Sequence, residues 1–86
     1  MRFFLIGYID LVQFPATDSD IILYISDEFP LISDCSTLVA KYREVASTFS
    51  IIVSITEVFE NDFNRLIDDK GWALDKNGKK IKKNEI

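Results

Sequence analysis

Histidine is absent from the 86 residues, cysteine occurs once, proline twice and glycine three times. Each shortage excludes something. Without imidazole the chain lacks the commonest general base and most zinc ligand sets. The single thiol, Cys35, excludes an internal disulfide framework and points to a reducing compartment, so a cytoplasmic location is expected. With no histidine to activate it, Cys35 is expected as a buried structural thiol rather than a nucleophile. No apolar run approaches the ~20 residues of a membrane helix. The N-terminal run Met1–Ile9 is short, is broken by Asp10 and has no small-residue cleavage site before Pro15, so no signal peptide is expected. Linkers, internal repeats and low-complexity tracts are missing as well.

What is present is apolar enough to fold. Hydrophobic residues make up 48% of the chain and include seven phenylalanines, so one core is expected without disulfide or metal staples. A chain this short makes a single domain, residues 1–86. Its net charge of −4 is unevenly placed: residues 1–64 carry ten acids against Arg2, Lys41 and Arg43, and residues 65–86 carry seven bases against four acids.

The stretch from Ser33 to Thr56 sets the architecture. Cys35, Leu38, Val39, Tyr42, Val45, Ala46 and Phe49 recur at helical spacing, with Ser33 or Asp34 as the cap. Ser50–Thr56 follows as a β-branched strand. Upstream, Arg2–Phe14 is apolar on both alternating faces, as a central strand is. Phe3, Leu5, Ile9 and Leu11 form one face; Phe4, Ile6, Tyr8, Val12 and Phe14 form the other. Its thirteen residues would span about 40 Å, so a bend at Gly7 or an overhanging, bare strand edge is expected. Pro15–Asp20 is a turn, and Ile21–Ser26 a second strand in preference to a helix. A second helix follows, capped by Thr56 or Asn61, with Phe59, Phe63, Leu66 and Ile67 as its buried stripe and Gly71 as its stop. In residues 72–83, Asn77-Gly78 predicts a two-residue hairpin turn that sets Leu74 opposite Ile81. Trp72 then shares their face, and Asp75, Lys80 and Lys82 point to solvent. Residues 84–86 form a frayed tail. The expected class is α+β: a small mixed or antiparallel sheet in the order β-β-α-β-α-β-β, with two helices packed on one face.

The segment Leu66–Leu74, followed by a basic turn, resembles the helix–Gly-Trp–strand segment of small toxin ribonucleases of the HicA type. The resemblance covers less than a quarter of the chain. That family's catalytic histidine has no counterpart here, so the activity does not carry over.

Three sets of residues are candidates for binding. Asp18, Asp20, Asp27 and Glu28 form an acidic surface suited to a basic protein partner. Trp72 with Lys76, Lys79, Lys80, Lys82 and Lys83 offers a stacking ring beside phosphate-binding cations, although lysine also guards sheet edges. Asp10, between Ile9 and Leu11, is expected to reach solvent or find a partner. The acids lack the Asp-x-Asp-x-Asp-Gly pattern of a calcium loop, so no metal, cofactor or catalytic residue is expected. The function expected is that of a non-enzymatic acidic module binding a protein partner, an inhibitor or regulator such as an immunity protein or a phage or mobile-element antagonist. The alternatives are a nucleic-acid-binding module using the lysine hairpin, and a homo-oligomer, at its simplest a homodimer, pairing through the N-terminal strand edge. No membrane association is expected.

Overall fold

The computed structural model describes residues 1–11 and 19–86. Asp18, Val12, Phe14 and the Pro15–Thr17 part of the expected turn lie outside the described residues. The elements run β1 (Arg2–Asp10), β2 (Ser19–Ser26), α1 (Ile32–Arg43), β3 (Ser50–Val58), α2 (Glu60–Lys70), β4 (Trp72–Leu74) and β5 (Lys80–Lys82), with a 3-10 turn at Ser47–Phe49 and another at Lys83–Glu85. The α+β class and the element order are those expected. One five-stranded mixed sheet has the order β3-β1-β2-β4-β5.

β1 is the centre. It pairs antiparallel with β2 from Arg2 to Ile9 and with β3 from Phe3 to Asp10. The bare N-terminal strand edge expected from the sequence is therefore closed in the folded chain. The edges belong to β3 and β5. The irregularity expected at Gly7 is present, but the extra residue sits on the neighbour: Gly7 opposes Ser54 and Tyr8 opposes Ile52, which leaves Val53 as a bulge. The absence of a side chain at Gly7 matters here, because a Cβ would run into the Ser54 hydroxyl.

The helices divide between the two faces of the sheet, which corrects the expectation of two helices on one face. Phe4, Ile6, Tyr8, Ile22, Tyr24 and Leu74 pack with Cys35, Leu38 and Val39 of α1. Phe3, Leu23, Ile25 and Ala73 pack with Phe63 and Ile67 of α2. The strand order gives the reason. β2 and β3 are both antiparallel to β1, and β4 is parallel to β2, so α1 and α2 each connect parallel strands. Such connections are right-handed. One runs from β2 outward to β3 and the other back from β3 to β4, and opposite directions with one hand require opposite faces.

The helix ends depart from the predicted caps. Leu31 and Phe59 occupy the N-cap positions, and neither supplies a side-chain bond. Pro30 favours extended backbone just before α1, and the helix starts immediately after Leu31. α1 stops at Arg43, so Val45, Ala46 and Phe49 are not on it. Glu44 takes left-handed angles, φ 58°, and its N–H donates to the Lys41 carbonyl at 3.2 Å while that of Val45 donates to Ala40 at 3.0 Å. This closes the helix with a Schellman arrangement, the position where glycine is favoured. Gly71 ends α2 as expected, with φ 83°. Phe59, placed on the α2 stripe by its spacing, is 84% exposed because it precedes the helix.

The hairpin is one residue out of the predicted register. Trp72 opposes Lys82, Ala73 opposes Ile81 and Leu74 opposes Lys80. Asp75 is responsible: its Oδ1 accepts from the N–H groups of Asn77 and Lys79, both at 2.9 Å, and its own N–H donates to the Lys79 carbonyl. The loop is thus three residues, with Gly78 at φ 80°. Lys80 and Lys82 consequently share the face of Trp72 and Leu74 instead of the solvated face.

Replacing Glu44 by glycine removes the left-handed penalty of a side chain and should raise stability by about 0.5–1 kcal/mol once the added unfolded-state entropy is deducted. Urea unfolding of the two proteins measures this.

Candidate functional site

The edges of the sheet differ in chemistry. β5 is three residues long, Lys80-Ile81-Lys82. β3 is nine, Ser50-Ile51-Ile52-Val53-Ser54-Ile55-Thr56-Glu57-Val58. Its single charge, Glu57, is held by Arg2 through two 2.8 Å hydrogen bonds, Nε to Oε2 and Nη2 to Oε1. That pair raises the Arg2 pKa and lowers the Glu57 pKa, through the hydrogen bond first.

Beside β3, on the α1 side, lies a groove of about 700 Å³ between the Phe29–Ser33 segment and Ile52–Ile55. Phe29, Leu31, Ile32 and Val53 are 50%, 65%, 67% and 49% exposed. Isolated exposed apolar side chains are ordinary; a group of them around one groove makes it a candidate binding surface. The Phe29 ring meets that of Phe4 edge-on at 5.3 Å, so the floor of the groove joins the core. Sequence reasoning missed this site. Phe29-Pro30-Leu31-Ile32 reads there as the end of one element and the approach to a helix, and only its run of four consecutive apolar residues hints at exposure. On the other side of Phe29–Leu31 a second cleft of about 600 Å³ is lined by Glu28, Asp34, Lys41 and Lys76.

The predicted acidic surface is not one patch. Asp20 lies at the start of β2, where Tyr8 donates to it at 3.3 Å and Lys70 stands 3.8 Å away. Asp27 and Glu28 follow the other end of the same strand, roughly 20 Å distant for an extended eight-residue strand. Asp27 faces the N-terminal ammonium at 3.7 Å. Glu28 gathers instead with Asp34, at the apolar groove's neighbour.

The basic hairpin is likewise dispersed. Lys80 Nζ lies 4.5 Å from the Trp72 ring centre, Lys70 Nζ lies 5.5 Å from it, and the Tyr42 ring packs on it at 4.8 Å. Trp72 is thus occupied within its own chain. Lys83 pairs with Asp68. Lys76 lines the second cleft, and the loop itself is pinned to α1 where Lys41 Nζ donates to the Asn77 carbonyl at 3.3 Å. Lys79 and Lys82 are exposed. Asp10 pairs with Arg43, which also donates to Ser50 Oγ at 2.6 Å. This arginine ties the end of α1 to the ends of β1 and β3.

Cys35 is 1% exposed, against α1's side of the sheet. Burial, with Asp34 adding to it, pushes its thiol from an ordinary 9 up to about 11. Burial, and then Asp20, pushes Tyr8 from 10 to about 12. A thiol so buried is protonated at neutral pH, the form in which sulfur is a weak nucleophile.

Comparison with protein-family models, with curated proteins and with solved structures finds no match to this chain.

Both shifts are upward for acids that the unfolded chain would release earlier. Their contribution to stability is therefore complete below pH 9 and is lost as pH rises from about 9 through about 12. The urea midpoint should hold level from neutral pH to near 9 and then fall. A Cys35→Ala, Tyr8→Phe double variant should fall less steeply across that range.

Proposed function

We propose that this chain is a non-enzymatic protein-binding module that inhibits or regulates a protein partner by docking. The observation that carries the reading is the groove between Phe29–Ile32 and β3. It gathers large apolar side chains that the fold leaves half or more exposed, on a molecule too small to leave such area uncovered without cost to solubility. Apolar anchors ringed by charge are how proteins hold proteins. Across the Phe29–Leu31 wall Glu28 and Asp34 share a cleft with Lys41 and Lys76, so the favoured partner surface is apolar with a margin of mixed charge, and the net charge of −4 assists the approach of a basic protein. Of the acids proposed from sequence, Glu28 supports this reading, since it lines the cleft beside the groove.

The absence of histidine and the burial of Cys35 support action by shape and charge. The nucleic-acid alternative is weaker than the sequence suggests. Its stacking ring, Trp72, is covered by Tyr42 and Lys80, and its cations point in several directions.

A Leu31→Glu, Ile32→Glu variant changes only exposed side chains and should keep the far-ultraviolet dichroism and urea midpoint of the parent. Affinity capture from a lysate of the native host should retain a discrete protein on the parent and lose at least tenfold of it on the variant. Equal retention by both would place the partner elsewhere and end the reading.

A further inference from the structure

We propose that Asn77-Gly78 is a self-modification site, at which Asn77 converts to aspartate or isoaspartate through a cyclic imide, and that Asp75 sets the rate. The chemistry goes beyond partner docking and needs no partner. The backbone nitrogen of Gly78 gives up its proton and attacks Cγ of Asn77. A bond forms between that nitrogen and Cγ, the bond from Cγ to Nδ2 breaks, and Nδ2 leaves as ammonia with the proton. Water then opens the imide at one carbonyl or the other, giving aspartate or isoaspartate.

Three observations support this site. The first is its neighbour in the chain. Of Asn61, Asn64, Asn77 and Asn84, only Asn77 precedes glycine. A side chain on the following residue hinders attack by that residue's nitrogen, and glycine has none. Asn61 and Asn64 also lie within α2, where helical hydrogen bonding fixes the backbone. The second is access. Asn77 is exposed and lines the cleft of Glu28, Asp34, Lys41 and Lys76, so water reaches it.

The third is that the attacking N–H is already engaged, through bonds that all run to one residue. Gly78 donates to the Asp75 carbonyl at 3.0 Å. Asp75 Oδ1 accepts from Asn77 and Lys79, both at 2.9 Å, and the Asp75 N–H donates to the Lys79 carbonyl at 3.0 Å. The Gly78 nitrogen turns onto Asn77 Cγ only when this loop opens. In the folded chain the conversion therefore runs at the rate of an unrestrained Asn-Gly pair multiplied by the fraction of loops open. Hydrogen bonds to a carboxylate are among the stronger ones in a protein, so Asp75 keeps that fraction small.

The position gives the conversion its consequence. The cleft sets two acids, Glu28 and Asp34, against two bases, Lys41 and Lys76. A carboxylate at position 77 adds a third acid, beside Lys76 and beside the Lys41 ammonium that donates to the Asn77 carbonyl. Isoaspartate also lengthens the loop backbone by a methylene and shifts Gly78 from its place next to Leu38 and Lys41. The charge beside the Phe29–Ile32 groove thus changes with the age of the molecule.

The test is timed peptide mapping by mass spectrometry on the full chain in mildly alkaline buffer. The samples are the folded parent, the parent unfolded in urea, Asp75→Ala and Asp75→Asn, and the mass gain of an amide turning into an acid is read at each asparagine. Asn77 should convert in the folded parent ahead of Asn61, Asn64 and Asn84, and at least about tenfold more slowly than in the unfolded chain. Asp75→Ala should lose most of that protection; Asp75→Asn, which keeps an oxygen acceptor in place, should retain more of it. A second measurement uses the parent alone and so stands even where Asp75→Ala fails to fold. The Gly78 amide should exchange with deuterium more slowly in the folded than in the unfolded chain, by a factor within about threefold of that found for conversion at Asn77. Conversion as fast in the folded parent as in urea overturns the proposal, and so does a folded parent still unconverted after months. An Asp75→Ala chain with the parent's dichroism and the parent's slow conversion overturns it as well, as does a Gly78 amide that exchanges freely while Asn77 is protected. None of these readouts involves a partner, so they stand whatever the lysate capture finds.

Discussion

Phe4, Ile6 and Tyr8 point to one face of β1, and Phe3 and Leu5 to the other. A strand with two apolar faces must be covered twice, and a strand with hydrogen-bonding groups on two edges must be flanked twice. The rest of the fold meets these four demands. β2 and β3 take the edges, α1 one face and α2 the other. The right-handed connections then fix which helix goes where. With β1 enclosed, the sheet has its free edges as far from the centre as its five strands permit, and they fall to β3 on one side and the lysine-rich β5 on the other.

This arrangement decides where the molecule can meet others. The β5 side is charged, short and fastened: Lys80 to the Trp72 and Tyr42 rings, Lys83 to Asp68, the loop to Lys41. The β3 side is long, β-branched and nearly uncharged. The Phe29–Ile32 segment beside it is apolar and exposed. Charge and apolar area are thus segregated to opposite ends of one small sheet. The proposed docking groove draws on the apolar end.

Much of the architecture is legible in the residues. The two-faced apolar alternation of β1, the β-branched run of β3, the glycine stop at Gly71 and the helical spacing from Cys35 to Tyr42 each reflect local chemistry, and each element forms where that chemistry places it. What is not legible depends on which strands become neighbours. Strand order sets the sides of the helices, and no periodicity records it. The predicted hairpin register fails because one side chain, Asp75, binds two backbone N–H groups and widens the turn. The second stripe is misjudged at Phe59 because the helix begins one residue later than the spacing allows. The site follows the same rule. Asp20 and Asp27 are close in sequence yet end up at opposite ends of a strand, while Phe29 and Val53 are far apart in sequence and share a groove.

The central claim is that β1 is bonded along both edges and covered on both faces. Native-state hydrogen exchange of the backbone amides addresses it most directly. Amides from Phe3 to Tyr8 should all be protected and should exchange at one common, slow rate set by global unfolding, with no odd–even alternation. Alternating fast and slow amides along that stretch would show that β1 has a free edge, and would contradict the account.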